Sequence, residues 1–70
     1  MTGEEIKKAM RKLSPVEFEG IKYKRISAYI FRVIENPRGG YKEILQVELL
    51  DRNGGSVVIA PIDKVNLYEV

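Results

Sequence analysis

The spacing of hydrophobic positions changes period near residue 14. Before it, Ile6, Ala9, Met10 and Leu13 recur at i, i+3, i+4 and i+7, the single apolar stripe of an amphipathic helix. Thr2 with Glu5 three residues later fits a capping box, and Ser14-Pro15 interrupts the pattern, because the residue before proline is driven out of the helical region. The pattern predicts a helix over residues 2–13. So short a helix is marginal alone in water, so its stripe must lie on another element.

After residue 15 the period falls to two. Val16 and Phe18 alternate with Glu17 and Glu19, Gly20 permits a turn or bulge, and Ile21 and Tyr23 alternate with Lys22 and Lys24. The phase breaks at Lys24-Arg25, which predicts a bulge that shifts the register by one residue. Residues 26–35 are apolar on both faces: Ile26, Ala28 and Ile30 on one, Tyr29, Phe31 and Val33 on the other. Such a strand calls for two covers, a barrel interior and the amino-terminal helix. In the next run Tyr41, Leu45, Val47 and Leu49 share one face, with Lys42, Gln46 and Glu48 on the other. Asn36-Pro37-Arg38-Gly39-Gly40 and Asp51-Arg52-Asn53-Gly54-Gly55 read as hairpin loops, Asn53-Gly54 being the expected tip of the second. A strand over 56–60 stops at Pro61, which has no N–H for a ladder. A single helical turn over 61–65 and a closing strand over 66–70 complete the order.

This order predicts one domain over residues 1–70, mainly β: an N-terminal α-helix packed on a small five-stranded antiparallel SH3-like barrel over 16–70. The alternative is an α+β arrangement, the helix lying on an open antiparallel sheet. The expected core comprises Ile6, Met10, Phe18, Tyr23, Ile26, Ala28, Ile30, Leu45, Val47, Leu49, Val57, Ile59 and Val65.

Composition narrows the chemistry. With 44% apolar and 31% charged residues in 70 positions, the chain is globular but small, burying only ~60% of the surface it exposes when unfolded. It has no cysteine and no histidine, which removes disulfides, thiolate metal sites, the usual general base and the commonest metal ligand. Lack of cysteine also points to a reducing, cytoplasmic setting. The charged amino end has no signal-peptide core, and the longest apolar run, Val57 to Ile62, is far below the ~20 residues of a membrane span. The expectation is a soluble chain with no membrane association. No catalytic residue, metal site, cofactor or small-molecule substrate is evident. Ser27 has no activating neighbour in sequence, Glu17 and Glu19 read as a polar strand face, and Gly39-Gly40 and Gly54-Gly55 are turn glycines without phosphate-loop spacing.

Charge raises two candidate surfaces. Residues 1–35 carry eight bases and five acids, whereas residues 36–70 carry four bases and five acids. Lys7, Lys8, Arg11 and Lys12 suit the solvated side and carboxyl end of the helix, opposite Glu4 and Glu5. Lys22, Lys24, Arg25 and Arg32 are interleaved with aromatic residues, and with Tyr29 they form the candidate nucleic-acid face, phosphates meeting the bases and a nucleobase stacking on the ring. Leu67 and Tyr68, on an expected edge strand, form the candidate protein-contact site, for a docking partner or a homo-oligomer. The sequence therefore predicts a non-enzymatic binding module contacting protein or nucleic acid.

Two resemblances accompany this reading. Gly20 to Ala28 (Gly-Ile-Lys-Tyr-Lys-Arg-Ile-Ser-Ala), Leu45 to Asp51 (Leu-Gln-Val-Glu-Leu-Leu-Asp) and Ser56 to Pro61 (Ser-Val-Val-Ile-Ala-Pro) resemble short uncharacterised proteins of phages and mobile elements of Gram-positive bacteria. That resemblance covers nearly the whole chain and implies no activity. The helix-then-five-strand order is similar to the Sm-like RNA-binding family, with Val57-Val58-Ile59-Ala60 in the place of its second motif. The Asp and Asn pair of that family's first motif has no counterpart between Ile26 and Glu35, so the resemblance transfers no base-reading residue.

Overall fold

The structure, a computed structural model, describes residues 1–68. The helix α1 spans Gly3–Arg11, with Thr2 as its N-cap. The capping box forms as its spacing requires. The Glu5 N–H donates to Thr2 Oγ1 at 3.2 Å, and the Thr2 N–H donates to Glu5 Oε1 at 2.9 Å. That backbone N–H, and then the Thr2 hydroxyl, hold the Glu5 carboxyl below its ordinary value of 4.5. At the other end, Leu13 N–H donates to Met10 O and Ser14 N–H to Ala9 O, the paired bonds of a Schellman motif. Leu13 takes the left-handed position at φ 53°, which swings it off the stripe and into solvent at 61% exposure. The helix thus ends before Leu13, although the apolar spacing had placed this residue on it.

Six strands follow: β1 Val16–Phe18, β2 Ile21–Tyr23, β3 Arg25–Glu35, β4 Tyr41–Leu50, β5 Val57–Pro61 and, after a 3-10 turn at Ile62–Lys64, β6 Val65–Leu67. They form two antiparallel three-stranded sheets, in the orders β2-β1-β6 and β3-β4-β5. Glu19 and Gly20, both at positive φ, make the two-residue loop between β1 and β2, a geometry whose twist matches antiparallel strands. The expected closed five-stranded barrel does not form. The chain passes between the sheets at Lys24 and through the 3-10 turn, but among the described residues no ladder joins one sheet to the other. The three strands of the first sheet are only three residues long, so they cannot wrap around strands of eleven and ten residues. The result is β-rich α+β, a helix on open antiparallel sheets. The last two positions of the expected closing strand, 69 and 70, lie outside the described residues.

The core gathers Ile6 and Ala9 from α1, Val16, Tyr23 and Val65 from the short sheet, and Ile26, Val47, Leu49 and Ala60 from the long one. Met1, Met10, Phe18, Tyr29 and Ile62 pack around it. No polar or charged side chain is buried among the described residues. Two phase expectations are corrected. The register shift in β3 falls between Ile26 and Ala28, so Ile26 shares a face with Tyr29 rather than with Ala28 and Ile30. In β5, Ala60 pairs with the buried Val47 and is itself buried, whereas Val57 and Ile59 are exposed. Val57 to Ala60 is a continuous apolar run, which contains no alternation to set its phase.

The long sheet also outruns its cover. The molecule measures 46 × 24 × 19 Å with a radius of gyration of 13.2 Å, against about 11 Å for a compact chain of this length. Residues 31–43, the distal half of the β3–β4 hairpin, are exposed throughout. Neither of the two covers expected for β3 reaches them: α1 packs over the proximal half, and no barrel interior exists.

Candidate interaction surfaces

Two surfaces lie at opposite ends of the β3–β4 hairpin, separated by the ~33 Å that ten strand residues span. At the proximal end, Pro15, Lys22, Tyr23, Lys24, Arg52 and Tyr68 line a cleft of about 340 Å³. Its bases come from β2, from the bend into β3 and from the β4–β5 turn. Lys22 Nζ lies 4.3 Å from the centre of the Tyr68 ring, a cation–π contact worth ~0.5–1 kcal/mol at an exposed position. The Lys24 N–H donates to Leu50 O at 2.9 Å and the Tyr68 N–H to Pro15 O at 3.1 Å, which pins the backbone on both sides. Arg52 is presented by a turn that Asp51 organises. The Ser56 hydroxyl donates to Asp51 Oδ2 at 2.7 Å and the Gly55 N–H to Asp51 Oδ1 at 3.0 Å. Those two bonds, the hydroxyl first, hold the Asp51 carboxyl below its ordinary value of 3.8. Among the described residues that line it, three are bases and none is a carboxylate.

The predicted nucleic-acid face is therefore split. Lys22 and Lys24 share this cleft, but Tyr29 does not. Its ring is half-buried beside α1, with its hydroxyl under Gly3 and Lys7 Nζ 6.0 Å from its centre. Arg32 stands on the opposite face of β3, its Nε–H donating to Gln46 Oε1 at 3.0 Å. Arg25 opens β3 half-buried, outside the cleft lining. The predicted protein-contact pair divides as well. Tyr68 turns into the basic cleft, whereas Leu67 lines a groove of about 260 Å³ beside α1 with Glu5, Lys8, Ala9, Lys12 and Ser14. Ser27, the one serine considered as a nucleophile, lies at the bulge with its Oγ 2.9 Å from Glu48 Oε1 and 3.2 Å from Glu48 O, a cross-strand hydrogen bond. Arg52 escaped the sequence reading because its turn is 28 positions from Lys24 and only the fold unites them.

The second surface is the distal arm, within which the sequence pattern called for cover on both faces of the strand over 26–35. In its register Phe31 opposes Leu45, Val33 opposes Glu43 and Glu35 opposes Tyr41. Directly opposed residues share a face, so these six continue the face that α1 covers further back. Phe31, Val33 and Tyr41 are 58%, 52% and 68% exposed. The reverse face of the arm carries Ile30, Arg32, Ile34, Lys42, Ile44 and Gln46. Both faces are apolar along their centres, but acids accompany one and bases the other. The signal was present as the two-sided apolar pattern of residues 26–35; what it marked was an unsatisfied surface.

No protein-family model, curated protein or solved structure matches the chain. Among the described residues, no helix is long and apolar enough to cross a membrane, and no group of three or more His, Cys, Asp or Glu side chains is placed to hold a metal ion.

Proposed function

We propose that this chain is a small non-enzymatic binding module whose working surface is the distal β3–β4 arm, which contacts protein. The observation that carries this reading is the exposure of Phe31, Val33 and Tyr41 on one face of a projecting hairpin and of Ile34 on the other. Contiguous apolar patches of this kind on an otherwise charged domain are the property of surfaces that are covered in use. The arm is rigidly based, since its proximal half enters the core through Ile26, Val47 and Leu49. The test is retention of partner proteins from a cell extract by the immobilised chain. Phe31→Glu and Ile34→Glu should abolish retention and Lys22→Glu should leave it intact; equal retention by all variants overturns the reading.

One observation favours a second reading, that nucleic acid binds at the proximal end: Lys22, Lys24, Arg52 and Tyr68 meet around one cleft. Three bases would take about three phosphates, so binding to a mixed-sequence single strand would fall about 20-fold between 50 and 200 mM salt. Titration of the chain with short DNA and RNA strands tests this directly. No binding at low salt, or binding unaffected by Lys24→Glu with Arg52→Glu, sets the reading aside.

A further inference from the structure

The arm's α1-side face is complementary to itself. Along its ~20 Å from Tyr29 to Glu35, one end is basic and the other acidic. Lys7 stands over Tyr29 where the helix cover stops, Phe31 and Leu45 come next, Val33 lies beside Glu43, and Glu35 lies beside Tyr41 at the outer end. We propose that this face is covered by a second copy of the chain, the two arms packing face to face and antiparallel about a two-fold axis. That arrangement seats Phe31 of each copy near Val33 of the other and brings Glu35, at the outer end of each arm, to the other's Lys7. A parallel arrangement would set acid on acid and base on base, and packing the reverse faces together about the same axis would set Arg32 against its own copy on a face that carries bases and no acid. Like charges across an interface disfavour both alternatives.

A compact monomer of 8.0 kDa exposes about 4,450 Å², whereas this chain exposes 5172 Å². The excess of about 700 Å² belongs to the projecting arm as a whole, so one face of it offers less than the ~800 Å² that each partner contributes to a stable interface of ordinary size, and the contact is expected to be a weak one. An isologous contact closes on itself at two copies, so the proposal is a dimer, not a filament. It rests on the reading of the arm as a protein-contact surface and names the partner.

Sedimentation equilibrium of the intact chain from micromolar to millimolar concentration tests it. The expected mass rises from 8.0 kDa to twice that value. Phe31→Glu, at an exposed site that leaves the core intact, should raise the dissociation constant at least ~30-fold, as loss of a central aromatic anchor does. Glu35→Lys with Glu43→Lys should weaken association about tenfold, and adding Lys7→Glu should restore it, a rescue that mere damage to the arm cannot produce. A chain that stays monomeric throughout overturns the dimer. If Phe31→Glu still releases extract proteins in that case, the arm reading survives and its partner is a different protein. A dimer indifferent to Phe31→Glu and to the charge exchange places the contact elsewhere and overturns the proposal equally.

Discussion

The two halves of β3 are chemically alike and energetically opposite. Ile26 at its base is 1% exposed, whereas Phe31 five residues on is 58% exposed, although both are large apolar residues on the same sheet face. The difference is cover. Ile6 and Ala9 of α1 close over the base, and the nine-residue helix runs only ~14 Å, less than half the ~36 Å of the eleven-residue strand. Hydrophobicity in a sequence therefore marks a demand for burial and leaves open whether the chain itself meets it. At the base the demand is met from within; on the arm the chain leaves it unmet.

The sharpest way to break this comparison is to truncate a side chain at the base. Leu49 is fully buried opposite Ile26, and Leu49→Ala should cost about 2–5 kcal/mol of unfolding free energy, the transfer and cavity loss of a core leucine. Urea denaturation with an unchanged slope checks it. A loss below about 1 kcal/mol would show that the base is as loosely covered as the arm.

A smaller effect tests the cover instead of the sheet. The helix start depends on the reciprocal Thr2–Glu5 bonds, so Thr2→Ala should cost about 1 kcal/mol. Loosening α1 should then raise amide exchange at Ile26 and Tyr29 and leave residues 31–35 unchanged, since the helix does not reach them. Equal effects on both halves would mean that the arm is stabilised through the helix after all.

Much of the base was legible in the sequence, and the reasons are local. The capping box, the stripe Ile6-Ala9-Met10, the alternation of Val16 to Glu19 and the face shared by Tyr41, Leu45, Val47 and Leu49 all depend on neighbours within a few positions. Three features depended on more. The placement of Leu13 was decided by a left-handed residue closing the helix, and the phase of β5 by pairing of Ala60 with Val47. Barrel closure failed because β1, β2 and β6 stop at three residues each, a length no composition rule dictates. The basic cleft was half legible: Lys22 and Lys24 were found from their spacing, while Arg52 and Tyr68 join them only through the fold.

Acid should act on the β4–β5 turn and on the helix cap. Asp51 and Glu5 both titrate lower in the folded chain than their ordinary values of 3.8 and 4.5, because donors bind their charged forms. A carboxyl depressed in this way stabilises the fold fully above its unfolded value, and that stabilisation is lost as pH falls through the folded value. The urea midpoint should therefore decline as pH drops below about 4, and Asp51→Asn should flatten the decline. A variant that follows the unmodified chain at every pH would show that the Ser56 and Gly55 bonds do not matter to stability.

The smallest expected effect is the one that separates the halves of β3 most cleanly. Phe31→Ala removes more apolar side chain than truncation of any buried Ile, Leu or Val in this protein, so side-chain size alone assigns it a core-sized loss. Its exposure predicts a different result. At high dilution, where any self-association is absent, the variant should unfold within about 0.5 kcal/mol of the original, as substitutions outside the packed interior do. At high concentration the two chains should diverge, because a partner that binds only the folded arm adds stability in proportion to the logarithm of its concentration. The original chain should then gain thermal stability with concentration and Phe31→Ala should not. A core-sized loss at high dilution would mean that Phe31 is buried by its own chain in solution, and the distinction between base and arm would disappear.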